Sequence, residues 1–387
     1  MPTIPRAEQS RAEQSRAEQS RAEQSRAEQS RAEQSRVLRY DYMRVVLVIL
    51  VVLSHCSYYD IITPFGGIYY QTMMLANGIS DTKVHLAIKI ISNYLYSFHM
   101  PAFFALSGCL FWNQIKQNRW TLSSLIGKKF KRLILPLFGT WFFWNIPIKY
   151  ISGYYLGVPF SKVLLQLIFP NRVYLWYLES LFLVFVIVYI TIKLIHNNSW
   201  RLIILLLMYT GGIVLQYYAN DYIPFGNPMR YCIWFYLGKQ IECITDKIRK
   251  QRWVTCSILI FDIGLFFVFR HVQETLPIFI IRDFALALMG IAIAFILSDQ
   301  IGSIASKYPL ALKKISERSM DVYLYSEPLN YLILSSVYSI LGIASFGIEW
   351  VSFGIIILRF FGTFIAAFYI GEFIANIKQK LQIKKEV

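Results

Sequence analysis

The stretch RYDYMRVVLVILVVLSH, residues Arg39 to His55, decides the fold: it is an apolar run with a charged entrance and a histidine at its far end. Arg44 and His55 are eleven positions apart, which at about 100° per residue is three turns plus roughly 20°, so both side chains leave one helix face. Along the axis they lie roughly 16 Å apart, about half a bilayer core. An arginine at one membrane surface and an imidazole deep on the same helix face could connect the compartments on the two sides of the membrane. Alternatively, Arg44 is an interface anchor, and His55 is a histidine whose hydrogen bonds are satisfied inside a helix bundle.

Composition places the chain in a bilayer. Hydrophobic residues make up 56% of the sequence and charged residues only 16%, which excludes an ordinary soluble globule. The net charge of +16 could suggest nucleic acid, but no soluble basic domain exists to carry such a patch, so no nucleic-acid partner is expected. The five cysteines form no CxxC pair and no zinc-type spacing; they are interpreted as buried packing residues, and no metal site is expected.

The N-terminal residues 1–36 contain six copies of RAEQS, at positions 6–35. A period of five rotates about 140° per copy, so no apolar stripe builds up. With no large apolar residue to pack, this tail is predicted to be disordered or a frayed helix. Residues 37–387 then form one membrane domain.

Ten apolar segments follow the tail, and several are near the roughly 20-residue length of a membrane crossing. Lipid cannot satisfy open backbone groups, so the segments must be helical. The predicted fold is an all-α polytopic bundle of about ten transmembrane helices, with approximate spans 42–59, 87–112, 132–151, 174–195, 201–219, 229–245, 254–270, 283–301, 319–341 and 351–375.

The distribution of Lys and Arg orients this bundle. Clusters of Lys and Arg fill the second, fourth, sixth and eighth connections between the segments and also end the chain. By contrast, the only Lys or Arg in residues 60–86 is Lys83, and residues 341–350 contain neither. The positive-inside rule places both termini and the even connections in the cytoplasm. The second connection is the most basic, with Lys116, Arg119, Lys128, Lys129, Lys131 and Arg132.

A second histidine lies in the segment SFHMPAFFALSGCLF, where His99 falls mid-membrane. Pro101 frees the carbonyl of Ser97, so a kink is expected, and Gly108 lets another backbone approach. Ionisable residues inside a membrane are costly, so each is a functional candidate. Two neutral imidazoles in consecutive helices, His55 and His99, can supply a general base near about pH 7.

Further charged residues occur in later segments. Glu179 lies in the fourth segment and Glu327 in the ninth. For Asp262, Arg359 and Glu372 the alternative to a functional role is structural: they pair into ion bridges within the bundle, for example Arg359 with a carboxylate.

These stretches resemble the integral-membrane acyltransferase-3 family. The family is similar to this chain in an arginine, ten residues and then a histidine in the first helix, here Arg44 and His55. FHMPAFFALSG most resembles the branch that acetylates sugars, including fucose-type O-acetylases. The resemblance to the family as a whole covers roughly residues 37–375. The other matching stretches are RLILPLFGTWFFW (132–144), LWYL (175–178), MRYCIWFYLG (229–238) and MDVYLYSEPL (320–329).

One position departs from the family pattern. Family members often carry a histidine in the YLxH stretch, whereas here Tyr323-Leu324-Tyr325 leads to Ser326 and then Glu327. Glu327 is a candidate substitute for that histidine; alternatively, the position only shapes the cavity.

The resemblance implies transfer of an acyl group, most often acetyl, from cytoplasmic acyl-CoA to a hydroxyl of a bacterial surface glycan or its lipid-linked precursor, in the inner (cytoplasmic) membrane. Acetyl-CoA is then a co-substrate, and no bound cofactor is expected. Polyanionic CoA is expected to contact Arg44, Lys128, Lys129 and Arg132; for the basic connection, positive-inside bias is the alternative explanation. The acceptor stays open among capsule, lipopolysaccharide and peptidoglycan.

Roles follow for the polar residues. His55 is the expected base that deprotonates the acceptor hydroxyl, and His99 is the acid for the leaving thiolate or a transient acyl acceptor. Glu179 or Glu327 is a candidate to fix an imidazole tautomer, as in a triad. Aromatic residues suit the apolar faces of a sugar or, alternatively, form interface belts. These are Trp141, Trp144, Trp176 and Tyr177.

The alternative function class is a polysaccharide or lipid-linked sugar transporter or flippase. Ten helices with internal charges fit that class too. Transporters commonly show inverted repeats with paired broken helices, and no convincing match between the two halves is visible, which favours the enzyme.

The identity of the RAEQS copies indicates a repeat in the DNA, because a solvated peptide would tolerate Lys for Arg or Asp for Glu. The five-base unit AGCAG in tandem reads AGC-AGA-GCA-GAG-CAG, which encodes Ser-Arg-Ala-Glu-Gln and returns to frame after three units. Gain or loss of one unit shifts the frame and silences everything after Arg36, so on/off phase variation is predicted. The alternative is a fifteen-base unit with ordinary codon choice.

Overall fold

The computed structural model describes residues 38–117, 120–166, 174–219, 225–248, 251–305 and 309–386. The first helix, α1, covers 38–55 and contains the stretch that opens the membrane domain. The RAEQS tail and Arg119 lie outside the described residues, so the prediction of a separate tail stays a prediction.

A β-hairpin and a short helix follow α1. Strands β1 (Asp60–Thr63) and β2 (Gly66–Tyr69) pair antiparallel, and α2 (Tyr70–Ala76) comes next. We call the end of the bundle where α1 meets this hairpin the hairpin end, and the end where α1 begins the tail end. The other helices, in chain order, are α3 (Lys83–Gln117), α4 (Leu122–Lys129), α5 (Leu135–Thr140), α6 (Ile146–Ile151), α7 (Phe160–Leu165), α8 (Trp176–Leu194), α9 (Asn198–Ala219), α10 (Gly226–Ile248), α11 (Arg252–His271), α12 (Leu276–Ala305), α13 (Pro309–Glu317), α14 (Ser319–Leu341) and α15 (Glu349–Glu386).

The third predicted segment is one helical path with two wide turns. Thr121 caps the start of α4 by accepting a hydrogen bond from the Ser124 amide. Two π-helical stretches, Phe130–Ile134 and Trp141–Asn145, then interrupt the α-helical geometry. Pro136 and Pro147 follow these stretches, and a proline cannot donate the usual helical bond, so a widened turn accommodates each.

Helices α3 and α10 cross at two glycines. A Cβ on Gly108 would lie 1.8 Å from the backbone oxygen of Phe235, and one on Gly238 would lie 2.1 Å from that of Ala105. Only glycine permits this approach, which is typical of helix packing in membranes. The prediction that Gly108 admits another backbone is therefore confirmed. Helix α3 also continues through Pro101.

Six helices of the described residues are long and apolar enough to cross a membrane, and they lie within α3, α8, α9, α11, α12 and α15. A helical membrane bundle is thus confirmed, whereas ten crossings and the orientation of the termini stay predictions. Helices α10 and α14 carry many buried polar residues. Their lower hydropathy fits a position surrounded by protein rather than lipid.

Both ends of α1 are anchored by buried polar contacts. At the tail end, Arg39 donates a hydrogen bond to Asp246 of α10 at 2.6 Å and forms an ion pair with Asp299 of α12 at 3.1 Å. At the hairpin end, both ring nitrogens of the buried His85 face oxygens, at 2.5 Å from Asp81 and 2.8 Å from the Ser57 carbonyl. These two contacts fix the exit of α1 against α3.

The cysteines differ partly from the expectation of burial. Cys56, Cys109 and Cys232 are buried, whereas Cys243 and Cys256 are exposed because they lie on outward faces of α10 and α11.

Candidate functional site

Arg44 lies on the second turn of α1 and is held by a carboxylate on its own helix. Its Nη1 donates to Asp41 Oδ1 at 2.7 Å, and the same oxygen accepts a bond from Ser316 Oγ at 2.8 Å. Nε and Nη2 make no ion pair or hydrogen bond with the part of the chain that the structure describes. The guanidinium is therefore positioned on one side and available on the other.

Arg44 lines a cavity between α1, α3, α8 and α14, which we call the basic cavity. Lys129 and Arg132, from the end of α4 and the first π-helical stretch, line it too, and no described lining residue is acidic. Three cations without a lining carboxylate make this cavity attractive to an anion. Three of the four predicted CoA contacts, Arg44, Lys129 and Arg132, therefore line one cavity.

Lys128 and Lys129 both lie near Trp120, with their ammonium groups 5.2 and 5.6 Å from the ring centre, but Lys128 does not line the basic cavity. Lys129 is largely buried, with its ammonium 3.7 Å from the centre of the Phe185 ring. Successive helical residues point about 100° apart, which separates these two lysines.

The basic cavity runs along one face of α3. From Gln114 to Met100 it follows a stripe of seven lining residues at helical spacing, which spans about 21 Å at 1.5 Å per residue. Most of that stripe is apolar. The cavity therefore suits a long ligand with an anionic head near the cations and a less polar tail directed toward Met100. The stripe consists of Met100, Phe103, Leu106, Ser107, Leu110, Phe111 and Gln114.

His99 lies at the level of the deep end of this cavity and is buried. Its Nδ1 is 2.6 Å from the Leu95 carbonyl oxygen. A carbonyl only accepts hydrogen bonds, so Nδ1 carries the proton and Nε2 of the neutral ring carries the lone pair. Nε2 has no hydrogen-bond partner among the described residues and is available for chemistry.

His55 and His99 are joined by one tyrosine. The Tyr96 hydroxyl lies 3.3 Å from His55 Nδ1, and the Tyr96 ring meets both imidazoles edge to face, with centres 5.9 Å from His55 and 4.8 Å from His99. We call His55, Tyr96 and His99 the histidine cluster. The fold thus brings together the two histidines that the sequence singled out.

The backbone of His55 is held independently of its ring. Its carbonyl accepts bonds from Asn330 Nδ2 at 2.8 Å and from Arg359 Nη2 at 3.1 Å, and Arg359 Nη1 donates to the Cys56 carbonyl at 2.8 Å. The expected pairing of Arg359 with a carboxylate is wrong: this fully buried side chain caps the carbonyls at the end of α1. It fixes the position from which the His55 ring projects.

Glu327 lies in a buried polar group beside α14. It accepts a hydrogen bond from the Tyr331 hydroxyl, and its Oε2 has no partner among the described residues. The Lys149 ammonium packs over the Tyr331 and Tyr154 rings, at 5.2 and 4.5 Å from their centres. Glu327 makes no hydrogen bond to His55 or His99 in the described chain, but it lies close enough to Tyr96 of the histidine cluster for a charge interaction.

Glu179 lies apart from both histidines. It lines a separate, mostly apolar cavity with Phe130 and Phe182, whereas Tyr177, two residues earlier, lines the basic cavity. Two positions rotate a helix by about 200°, so the two side chains leave opposite faces of α8. The structure does not bring Glu179 to an imidazole.

The remaining intramembrane charges have structural partners. Asp262 accepts a hydrogen bond from the Tyr94 hydroxyl at 2.6 Å. Glu372 accepts one from Arg318 Nε at 2.5 Å. The expected ion bridge is thus present for Glu372, and for Asp262 the partner is a neutral phenol.

A second cavity approaches the histidine cluster from the hairpin end. Tyr58, just beyond α1, and Tyr96 line it, with ring centres 6.0 Å apart. Three arginines and one aspartate add charge, and we therefore call it the arginine cavity. The charged lining residues are Arg230, Arg270, Arg282 and Asp283.

A smaller side pocket adjoins the arginine cavity, sharing Arg230 and Phe279 with it. Trp176 lines this side pocket and stacks on Tyr231 with ring centres 5.5 Å apart. Of the four predicted aromatic contacts, Trp176 therefore adjoins the arginine cavity and Tyr177 the basic cavity. Trp141 lines the Glu179 cavity, and Trp144 donates to the Tyr325 carbonyl at 3.3 Å.

Tyr96 and the three arginines of the second cavity were not predicted from the sequence. Tyr96 is three residues before His99, the spacing at which helical side chains are neighbours, so a signal was present. The arginines sit at the ends of α10, α11 and α12 and meet only through tertiary packing, which no local pattern reveals.

The geometry defines a class: a helical membrane protein in which two charged cavities lead from opposite ends toward one pair of histidines. A family model described as Acyltransferase domain, of the acyltransferase-3 type, matches residues 37–372. The chain belongs to this family and is a membrane acyltransferase. No curated protein and no solved structure gave a significant match.

Proposed function

We propose that this acyltransferase moves an acetyl group from cytoplasmic acetyl-CoA to a hydroxyl of a bacterial surface glycan or its lipid-linked precursor. The observation that carries the proposal is the position of the basic cavity relative to the histidine cluster. Cations lie at one end of the cavity, and the other end reaches Met100, next in sequence to His99, whose Nε2 is free among the described residues.

The basic cavity matches the chemistry of the donor. Arg44, Lys129 and Arg132 would hold the phosphates of CoA, Arg44 through its free Nε and Nη2. The stripe of about 21 Å along α3 is comparable in length to an extended pantetheine arm. The thioester would then lie near Met100, at the level of His99.

The transfer moves one proton from the acceptor hydroxyl to the leaving thiolate. His55 takes the proton of the acceptor hydroxyl, the hydroxyl oxygen forms an ester bond to the acyl carbon, and the carbon–sulfur bond breaks. The thiolate takes the proton, and CoA leaves as the thiol. The tautomer of His99 suits its Nε2 as a proton or transient acyl acceptor rather than as the acid.

The setting proposed is the inner membrane, with both termini and the basic cavity facing the cytoplasm. Expression is proposed to switch on and off through the DNA repeat behind the RAEQS tail. The donor is thus taken from the compartment that contains CoA, and the product alters a surface glycan. The family assignment lends no support to the transporter alternative.

Radiolabel transfer by the purified chain tests the proposal. Protein in detergent micelles is given acetyl-CoA labelled in the acetyl group together with glycan and lipid extracts from a strain that lacks the gene. Label should enter an alkali-labile ester with wild-type protein. His55→Ala should lose about 10²–10⁴ in rate, the usual cost of removing a general base.

The matched control is His196→Ala, because His196 is exposed and lines neither the basic cavity nor the arginine cavity. It should leave the rate unchanged. Transport of a sugar without ester formation, or full activity of His55→Ala, would overturn the proposed function.

A further inference from the structure

The arginine cavity is placed to receive the second substrate. It shares Tyr96 with the histidine cluster, and Tyr96 contacts His55 on one side and His99 on the other. Tyr58, which lines it, lies beyond the end of α1, whereas Arg44, at the cationic end of the basic cavity, lies about three turns before that end. A donor in the basic cavity would leave the arginine cavity free.

The cations of this cavity differ in how firmly they are engaged. Arg230 is bonded through two of its nitrogens to Asp283 and through Nη1 to Gln216 at 2.9 Å. Its charge is matched within the protein, so we assign it to the cavity wall. Among the described residues, Arg282 forms its one ion pair with Glu274, at 2.9 Å, and that carboxylate side chain is half exposed. An exposed pair of this kind is weak and exchanges readily for a ligand.

Arg270 completes the cationic edge. It is exposed at the end of α11 and forms no ion pair in the part of the chain that the structure describes. With Arg230 matched by Asp283, the lining keeps two positive charges, on Arg270 and Arg282, that can receive an anion. Guanidinium groups bind carboxylates and phosphates in a bidentate manner.

The rest of the lining suits a carbohydrate. Phe266, Phe279 and Tyr58 offer aromatic faces for the apolar side of a sugar ring, and Asn93 and Ser97 offer an amide and a hydroxyl. The Arg282 guanidinium also lies 4.9 Å from the centre of the Phe279 ring, which orients it toward the cavity. Aromatic faces beside free guanidinium groups favour a sugar that carries a negative charge over a neutral one.

We propose that the arginine cavity binds the acceptor and that this acceptor is an anionic glycan. Arg270 and Arg282 hold its carboxylate or phosphate, and a hydroxyl of the same or the next sugar reaches Tyr96 and His55. This inference rests on the proposed function and names the substrate class of the same site. A uronic-type carboxylate and the diphosphate of a lipid-linked sugar share this chemistry, and the test separates them.

The test measures label transfer from acetyl-CoA to four acceptor preparations, with the full-length protein in detergent. These are the acidic polysaccharide fraction of a strain lacking the gene, the same fraction after chemical reduction of its carboxylates to alcohols, its neutral polysaccharide fraction, and its lipid-linked sugar diphosphates. Vesicles of phosphatidylglycerol provide a fifth sample.

Label in the acidic fraction that falls at least about 10-fold after carboxyl reduction supports the inference with a carboxylate. Label in the sugar diphosphates supports it with a phosphate. Label that enters neutral polysaccharide equally well, or only the vesicles, overturns it while leaving an acyltransferase in place. No label in any sample overturns the proposed function, and the inference falls with it.

Charge variants test the binding site itself. Arg270→Gln and Arg282→Gln should each raise the KM for the labelled acceptor about 10-fold or more, as expected for the loss of one charged hydrogen bond, with a smaller change in kcat. Arg282→Lys should restore part of the affinity. Lys162→Gln, on exposed α7 at the same predicted face, is the matched control and should leave KM unchanged. An unchanged acceptor KM in both glutamine variants overturns the inference.

Discussion

The Tyr96 hydroxyl lies 3.3 Å from Nδ1 of His55, and the two rings meet at an interplanar angle of 86°. The same tyrosine packs edge to face on His99 and lines the arginine cavity. One side chain therefore contacts both candidate catalytic histidines and the space proposed for the acceptor. Its hydroxyl is suited to orient His55 or to relay its proton.

Removing that hydroxyl should slow acyl transfer while the fold persists. Tyr96→Phe keeps the ring contacts with both histidines and loses the hydroxyl's bond to Nδ1, together with its contact with the Tyr58 hydroxyl. We expect kcat to fall about 10-fold or more, since an unmade buried hydrogen bond costs about 1–3 kcal/mol. Tyr150→Phe, on an exposed tyrosine of α6, serves as the control. Equal kcat values for the two variants would exclude Tyr96 from the reaction.

The second prediction concerns Arg44. A lysine can replace the ion pair with Asp41, but it cannot also present the free Nε and Nη2 to a phosphate. Arg44→Lys should therefore raise the KM for acetyl-CoA about 10-fold or more, because charged hydrogen bonds contribute about 1.5–3 kcal/mol. Steady-state kinetics at varied acetyl-CoA measures this. The control is Arg201→Lys, because the Arg201 side chain donates to the Ile192 and Ile195 carbonyls. A normal KM for acetyl-CoA in Arg44→Lys would show that Arg44 is not part of the donor site.

The third prediction concerns the crossing of α3 and α10. Gly108→Ala places a methyl group against the Phe235 carbonyl, so the helices must separate. Overpacking of this kind typically costs about 1–3 kcal/mol, and the unfolding midpoint in detergent should fall. Gly264→Ala, with nothing within 4 Å of the added methyl, should keep or slightly raise the midpoint, because alanine favours helix over glycine. Equal midpoints would show that the close approach is not needed for stability.

The fourth prediction concerns orientation. The exposed Cys243 and Cys256 are first replaced by serine, and then Ala76→Cys and Ser123→Cys are made one at a time at exposed positions. A membrane-impermeant maleimide should label Ala76→Cys in intact cells and Ser123→Cys only after the membrane is opened, as the positive-inside rule requires. The reverse pattern would contradict the assignment of the basic cavity to the cytoplasm.

The helices of this fold were largely predictable because lipid imposes long apolar runs. The predicted segment 319–341 coincides with α14, which begins after Arg318 and ends before Gly342, whose φ of 73° suits glycine. The wide turns of the third segment were not predictable in the same way. Hydropathy sums over a segment and is blind to the hydrogen-bond register that Pro136 and Pro147 alter.

The candidate site was predictable only along single helices. Arg44 and His55 share one helix, and their spacing placed them on the same side. Arg359 shows the limit: its charge suggested a carboxylate, yet the buried end of α1 offers carbonyls that need a donor. Which partner wins depends on where the helix ends meet, and a linear sequence does not contain that.

The last prediction concerns the RAEQS tail and the gene that encodes it. If the repeat is a tandem of five-base units, slipped-strand replication should change the unit number at high frequency, and two of every three unit numbers would put residues after Arg36 out of frame. Sequencing the gene from many single colonies should then show varying tracts, with glycan acetylation only in colonies whose tract is in frame. Deleting residues 6–35 in frame should preserve activity, since the matched acyltransferase domain begins at residue 37, and should lock expression on. A fixed copy number, or mixed synonymous codons that break the five-base period, would rule out switching and leave the acyltransferase assignment unchanged, because that assignment rests on residues that follow the repeat.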